Sequence, residues 1–191
     1  MPHPRKFFAK DSVYFITSST LTGLPFIPNL IINTILRGII ARAQKLYGQI
    51  TCHVVFMANH FHLILVVTNP QTVPDFIGYI KAKSADAINR LLGRAKQPLW
   101  CEGFDSPVLL DANAAIDKIV YTYLNPAKAR LVNSIDKYPG ISSWNAFAKG
   151  EKSKFVRWIR PSTITPLTTT EMTHTEQVKY LISLQRNNKS R

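Results

Sequence analysis

The stretch "ITCHVVFMANHFHLILVV", residues 50–67, decides the fold. Two runs rich in β-branched and aromatic residues, 50–57 and 60–67, are separated only by Ala58 and Asn59, which predicts an antiparallel hairpin with a two-residue turn. The second run is apolar on both faces, so it should be a central strand covered on both sides. His60 and His62 open that run at i and i+2, which places both imidazoles on one face of a strand and turns Phe61 to the other. Two imidazoles in an apolar run need partners. By themselves they read equally as half of a metal site or as a buried, satisfied pair, whereas His53 on the neighbouring strand reads as structural.

Outward from the hairpin, "VYFITSST" (13–20) has strand composition and is stopped by the Gly and Pro residues of "TGLPFIPN" (22–29). Asn29 is a good N-cap for a helix with apolar stripes at Ile31, Ile35 and Ile39 and at Ile32, Leu36, Ile40 and Ala43, ended by Gly48. A second helix spans Thr72 to Leu92, with Ile77, Ile80, Ser84, Ile88 and Leu91 on one stripe and Gly93 at its close. After the basic linker "GRAKQP" comes a short strand at Pro107 to Leu110, and Asp111 caps a third helix, "ANAAIDKIVYTYLN", ended or kinked at Pro126. The class is therefore α+β: a ferredoxin-like βαββαβ antiparallel sheet with helices packed against it, extended by an additional C-terminal helix. One domain is expected over 1–147. Residues 148–191 read as a basic tail with a Ser/Thr/Pro linker and a short amphipathic helix around Thr175 to Gln185.

The 191-residue chain carries 24 Lys+Arg against 11 Asp+Glu, a net charge of +13, and the positives recur along its length. Such a field favours polyanions, above all nucleic acid, with an affinity that falls as salt rises. Lys81, Lys83, Arg90, Arg94, Lys128, Arg130, Lys154 and Arg157 are the cations placed to contact DNA, and Trp100, Phe104 and Trp144 are aromatics that could stack unpaired bases. Cys52 and Cys101 form no Cys-x-x-Cys pair and read as packed or free thiols. "IINTILRGIIARA" is cut by Arg37 and Arg42 long before it could span a bilayer, and no signal-peptide core follows the basic N-terminus, so a cytoplasmic, nucleoid-associated protein is expected.

On the third helix, Ile116, Val120 and Tyr123 are expected to form the apolar stripe, with Asp117, Tyr121 and Asn125 at i, i+4, i+8 on a polar stripe beside it. Tyr123 then reads as core. Tyr121 stands either as an ordinary boundary tyrosine or, if the histidines hold a metal, as a group with chemistry to do.

Two separated segments, "MANHFHLIL" and "YTYLNPAKARLV", resemble the REP-associated tyrosine transposases, a branch of the single-tyrosine HUH endonucleases. "KSADAIN", "LWCEGFDSPVL" and "YPGISSW" look like family segments in the right order, so the resemblance covers roughly residues 10 to 147. It implies that His60 and His62 bind a divalent metal, Mg²⁺ or Mn²⁺, that Asn125 stands where the family supplies a third ligand, and that Tyr121 is the nucleophile carried by the additional helix. It further implies single-stranded or stem-loop DNA as the substrate, cleaved and rejoined through a 5′-phosphotyrosine, by a monomer or a homodimer. Three positions depart from the family pattern: Ala58 replaces a common proline, Arg130 a common glycine, and Gly140 interrupts the usual Tyr-Pro-Trp-Ser-Ser. The competing reading is a catalytically silent nucleic-acid-binding protein on the same sheet. A zinc protein is disfavoured because no nearby Cys or Glu completes a four-ligand set.

Overall fold

Residues 6–21 and 28–150 are described by the computed structural model; Lys154, Arg157 and the expected tail helix lie outside them. The order is β1 (Val13–Ser19), α1 (Leu30–Tyr47), β2 (Ile50–Phe56), β3 (His60–Val66), α2 (Val73–Leu91), β4 (Val108–Leu109), α3 (Ala112–Lys128) and α4 (Trp144–Ala148). The strands form one sheet in the order β2-β3-β1-β4 with every neighbouring pair antiparallel, as a ferredoxin-like βαββαβ chain requires. The hairpin closes as its sequence indicates, the Met57 amide donating to the carbonyl of His60 across Ala58 and Asn59.

Local chemistry explains the helix ends. The Asn29 side chain accepts from the Ile32 amide, and Gly48, at φ 72°, donates its amide to the Gln44 carbonyl in a left-handed cap that only glycine adopts at low cost. Asp111 caps α3 in the same way, accepting from the Ala114 amide.

Alternation along β3 divides the protein into two layers. Phe61, Leu63 and Leu65 join Tyr14 and Ile16 of β1 and the inward stripes of α1 and α2 in the larger core. His62 and Ile64 face the other way, where Phe15, Val55 and Leu109 meet α3. The central strand is thus covered on both faces. Each large side chain buried this way contributes roughly 1.5–3 kcal/mol.

Several expectations are corrected. On α3, Ile116 and Val120 are 56% and 49% exposed, and the inward residues are Ala115, Ile119, Thr122, Tyr123 and Pro126. Periodicity allowed either stripe; the sheet chose the one whose small and β-branched residues let the helix approach. Pro126 does not end α3, which continues to Lys128, because a proline so near the C-terminus forfeits a single intrahelical bond. The last strand is reduced to Val108–Leu109. Trp100 is not available to bases: it is buried in the larger core and donates its indole N–H to Ser84 Oγ, which explains a serine on the apolar stripe of α2. Phe104 packs on Phe8, and Trp144 on Tyr123 and Phe147.

Arg130 and Gly140, two positions singled out in the sequence, differ in their backbone surroundings. Arg130 sits at φ 56°, the left-handed region in which a glycine is unstrained and a side chain costs about 1–2 kcal/mol. Gly140 lies against Tyr138, whose hydroxyl donates to the Phe56 carbonyl at 2.7 Å. A Cβ there would lie 2.6 Å from that hydroxyl oxygen and closer still to the ring. Gly140→Ala is therefore expected to lower the unfolding free energy by roughly 1–3 kcal/mol through displacement of Tyr138, read as a lower denaturation midpoint; an unchanged midpoint would contradict the packing.

Candidate active site

The sheet register sets the histidines. Thr17 stands opposite His62 and Ser19 opposite His60 in the β1–β3 pairing, so β1 supplies the floor on which the imidazoles rest. His60 and His62 share a face, ring centroids 4.7 Å apart. Phe15 stacks on His62 at 5.0 Å and meets the Tyr121 ring edge-on at 5.9 Å.

Each imidazole is held through Nδ1. His62 Nδ1 is 2.9 Å from Thr17 Oγ1, and His60 Nδ1 is 2.8 Å from Asn59 Oδ1, an acceptor that requires the proton on that nitrogen. Fixing Nδ1 in this way orients a ring and leaves Nε2 to act as a ligand. His62 Nε2 is 2.9 Å from the terminal amide group of Asn125 on α3. Burial, with the nearby charges of His60 and Lys118 as lesser causes, brings the His62 pKa down to about 3, and burial lowers His60 as well. Both rings are therefore neutral at pH 7, the state in which an imidazole donates a lone pair.

Two borderline imidazole nitrogens and one amide oxygen could together occupy part of the coordination shell of an octahedral divalent cation. Two ligands at right angles on an octahedral ion with bonds of about 2.1 Å stand about 3 Å apart, close to the observed separation of His62 Nε2 and the Asn125 amide, whose oxygen and nitrogen exchange places by rotation. Among the described residues, no group of three or more His, Cys, Asp or Glu is placed to hold a metal; the donors that meet here are two imidazoles and one amide.

Tyr121 faces this cluster from α3. Its ring lies 5.4 Å from that of His62 and remains 38% exposed. Tyr123, two residues on, is buried: its hydroxyl lies 2.6 Å from His53 Nδ1 and 2.9 Å from Ser143 Oγ, and burial raises its pKa. His53 and Tyr123, each read separately from the sequence as structural, are thus hydrogen-bonded to one another. Asp117 is exposed beyond the cluster.

The cations differ in placement. Lys128 Nζ is 5.5 Å from the Tyr121 ring centroid, and Arg90, Arg94 and Arg130 are exposed. Lys83 is exposed and 4.0 Å from Asp86. Lys81 is instead turned inward, donating to the carbonyls of Cys101 and Gly103. Thr17, Asn59, Phe15 and Lys118 belong to the cluster without having been singled out from sequence. Asn59 and Lys118 were legible, one beside His60 and the other a helical turn before Tyr121; Thr17 and Phe15 depend on a cross-strand register that their own segment does not announce.

A family profile described as "Transposase IS200 like" matches residues 27–125, just over half of the chain, and ends on Asn125. The chain belongs to the IS200-like transposase family. No curated protein matches it in sequence. Among solved structures, one described as a REP-associated tyrosine transposase bound to a REP hairpin is 16% identical, with a TM-score of 0.66 over 91% of this chain and 99% of that one, which establishes the shared fold. A putative transposase from Deinococcus radiodurans is 21% identical, covers 63% of this chain and 95% of that one, and superposes only to a TM-score of 0.44. Among the described residues, no helix is long and apolar enough to cross a membrane.

Proposed function

We propose that this transposase is a metal-dependent DNA strand transferase of the REP-associated tyrosine branch, cleaving and rejoining single-stranded or hairpin DNA through a 5′-phosphotyrosine. The observation that carries this reading is His62, pinned by Thr17 on one side, 2.9 Å from the Asn125 amide on the other, with the Tyr121 ring 5.4 Å away. His60, His62 and Asn125 are the residues that would hold Mg²⁺ or Mn²⁺; when bound, such an ion polarises a non-bridging phosphate oxygen and orients the phosphodiester. Tyr121 is the nucleophile. Its half-exposed ring admits a DNA strand, and its position on a helix packed against the sheet holds it in reach of the imidazoles. Attack at phosphorus forms the tyrosyl ester and releases a 3′-hydroxyl; the ester retains the bond needed for rejoining.

In this reading the catalytic domain spans 1–147, with 148–191 a basic tail, and the protein acts in the cytoplasm at the nucleoid as a monomer or homodimer. Lys83, Arg90, Arg94, Lys128, Arg130, Lys154 and Arg157 are proposed DNA contacts; Lys81 contributes to the fold through its two carbonyl bonds.

The test is cleavage of a labelled stem-loop oligonucleotide by the full chain with Mn²⁺ or Mg²⁺. Cleavage is expected with the ion and not after EDTA treatment, and restored when the ion is returned. Binding without cleavage under every divalent ion would favour a catalytically silent nucleic-acid-binding protein.

A further inference from the structure

Lys118 takes no part in the chemistry set out above, yet it stands at the centre of the aromatic cluster. Its ammonium is 5.1 Å from the Phe15 ring centroid and 5.4 Å from that of Tyr121, over the corner where those rings approach His62. Among the described residues, no carboxylate lies in ion-pair reach of it and no acceptor takes its protons. An ammonium whose company is aromatic faces is held in place by their quadrupoles while its three donors stay available. Lys128 lies over Tyr121 alone and is exposed, whereas Lys118 is half-buried and lies also over Phe15, the ring stacked on His62.

We infer that Lys118 binds the scissile phosphate, so that its ammonium neutralises the negative charge that gathers on the non-bridging oxygens as Tyr121 attacks. The inference rests on the reading of Tyr121 as nucleophile. Lys118 sits one helical turn before Tyr121 on α3, its ammonium 5.4 Å from the centroid of the ring that carries the attacking oxygen, so a phosphate brought to that oxygen comes within reach of a flexible lysine side chain. In the step, the bond from phosphorus to the tyrosine oxygen forms and the bond from phosphorus to the 3′-oxygen breaks. The phenol proton passes to solvent and the 3′-oxygen takes one from solvent. Lys118 remains an ammonium throughout, worth more in the crowded transition state than in the ground state because it needs no reorganisation.

The experiment uses the full chain with Mn²⁺ and a hairpin oligonucleotide, after the wild-type adduct has located the scissile linkage. At saturating DNA, Lys118→Gln is expected to lower the single-turnover rate roughly 100-fold, and Lys118→Arg to recover at least about tenfold of that. Affinity is read separately in a Tyr121→Phe background. There Lys118→Gln should weaken binding by no more than about fivefold, as a partly exposed ion pair would, and the difference should vanish on a hairpin with a neutral methylphosphonate at the scissile linkage. The inference is overturned by a Lys118→Gln rate within about threefold of wild type. It is equally overturned by a loss that Lys118→Arg does not restore while the melting temperature falls, or by an affinity difference that persists on the methylphosphonate. A wild type that forms no adduct at all removes Tyr121 as nucleophile and this role with it.

Discussion

Tyr121→Phe is expected to give no covalent protein–DNA band after incubation with Mn²⁺ and a labelled hairpin oligonucleotide, whereas Tyr123→Phe still gives one. The two rings are two residues apart on α3 and differ in everything else. Tyr121 is 38% exposed beside His62, while the Tyr123 hydroxyl is enclosed between His53 Nδ1 and Ser143 Oγ and its pKa is raised by burial. Among the described residues the Tyr121 hydroxyl makes no hydrogen bond, so its loss should leave DNA affinity and melting temperature unchanged. Tyr123→Phe leaves a buried imidazole without its partner, which costs about 1–3 kcal/mol, so that variant should melt earlier and yet remain covalently reactive. Denaturing electrophoresis reads the bands. A surviving Tyr121→Phe adduct would assign the nucleophile to another residue.

The second large effect is expected at the histidines. His60→Ala should abolish cleavage and the calorimetric heat of Mn²⁺ binding while leaving hairpin affinity within about threefold, since the imidazole is proposed to touch the ion and not the bases. His60 is the cleaner probe. It is only partly buried and its partner Asn59 lies at the surface, whereas His62 is 3% exposed and stacked on Phe15. His62→Ala is therefore expected to remove the same heat and, in addition, about 1–3 kcal/mol of stability from the vacated space and the unpaired Thr17 and Asn125 groups. Equal Mn²⁺ heats in wild type and His60→Ala would place the ion elsewhere.

The limits of sequence reading fall at particular residues. The hairpin of residues 50–67 was legible because its two runs are separated by a turn of minimum length, and a period of two leaves no choice about which side His60 and His62 share. The caps at Asn29, Gly48 and Asp111 were legible because capping is settled within four residues. The inward face of α3 was not. Tyr123 was read correctly as core, but its stripe was drawn through Ile116 and Val120, and only contact with Phe15, Val55 and Ile64 selects Ile119 in their place. Trp100 was misread for a related reason: its partner, Ser84, is sixteen residues away on another element.

By itself, then, the amino-acid sequence determined β1 to β3, α1, α2 and the start of α3, the antiparallel hairpin, the common face of His60 and His62 and the helical spacing of Tyr121 and Asn125, all of which follow from periods and caps local to a few residues. The tertiary structure decided that Thr17 holds His62, that the Asn125 amide meets Nε2 at 2.9 Å and that Lys118 stands over Phe15 and Tyr121. These contacts join β1, β3 and α3 across separations of 45 and 63 residues for the two His62 hydrogen bonds, and burial between the layers, which no local pattern encodes, brings the His62 pKa to about 3.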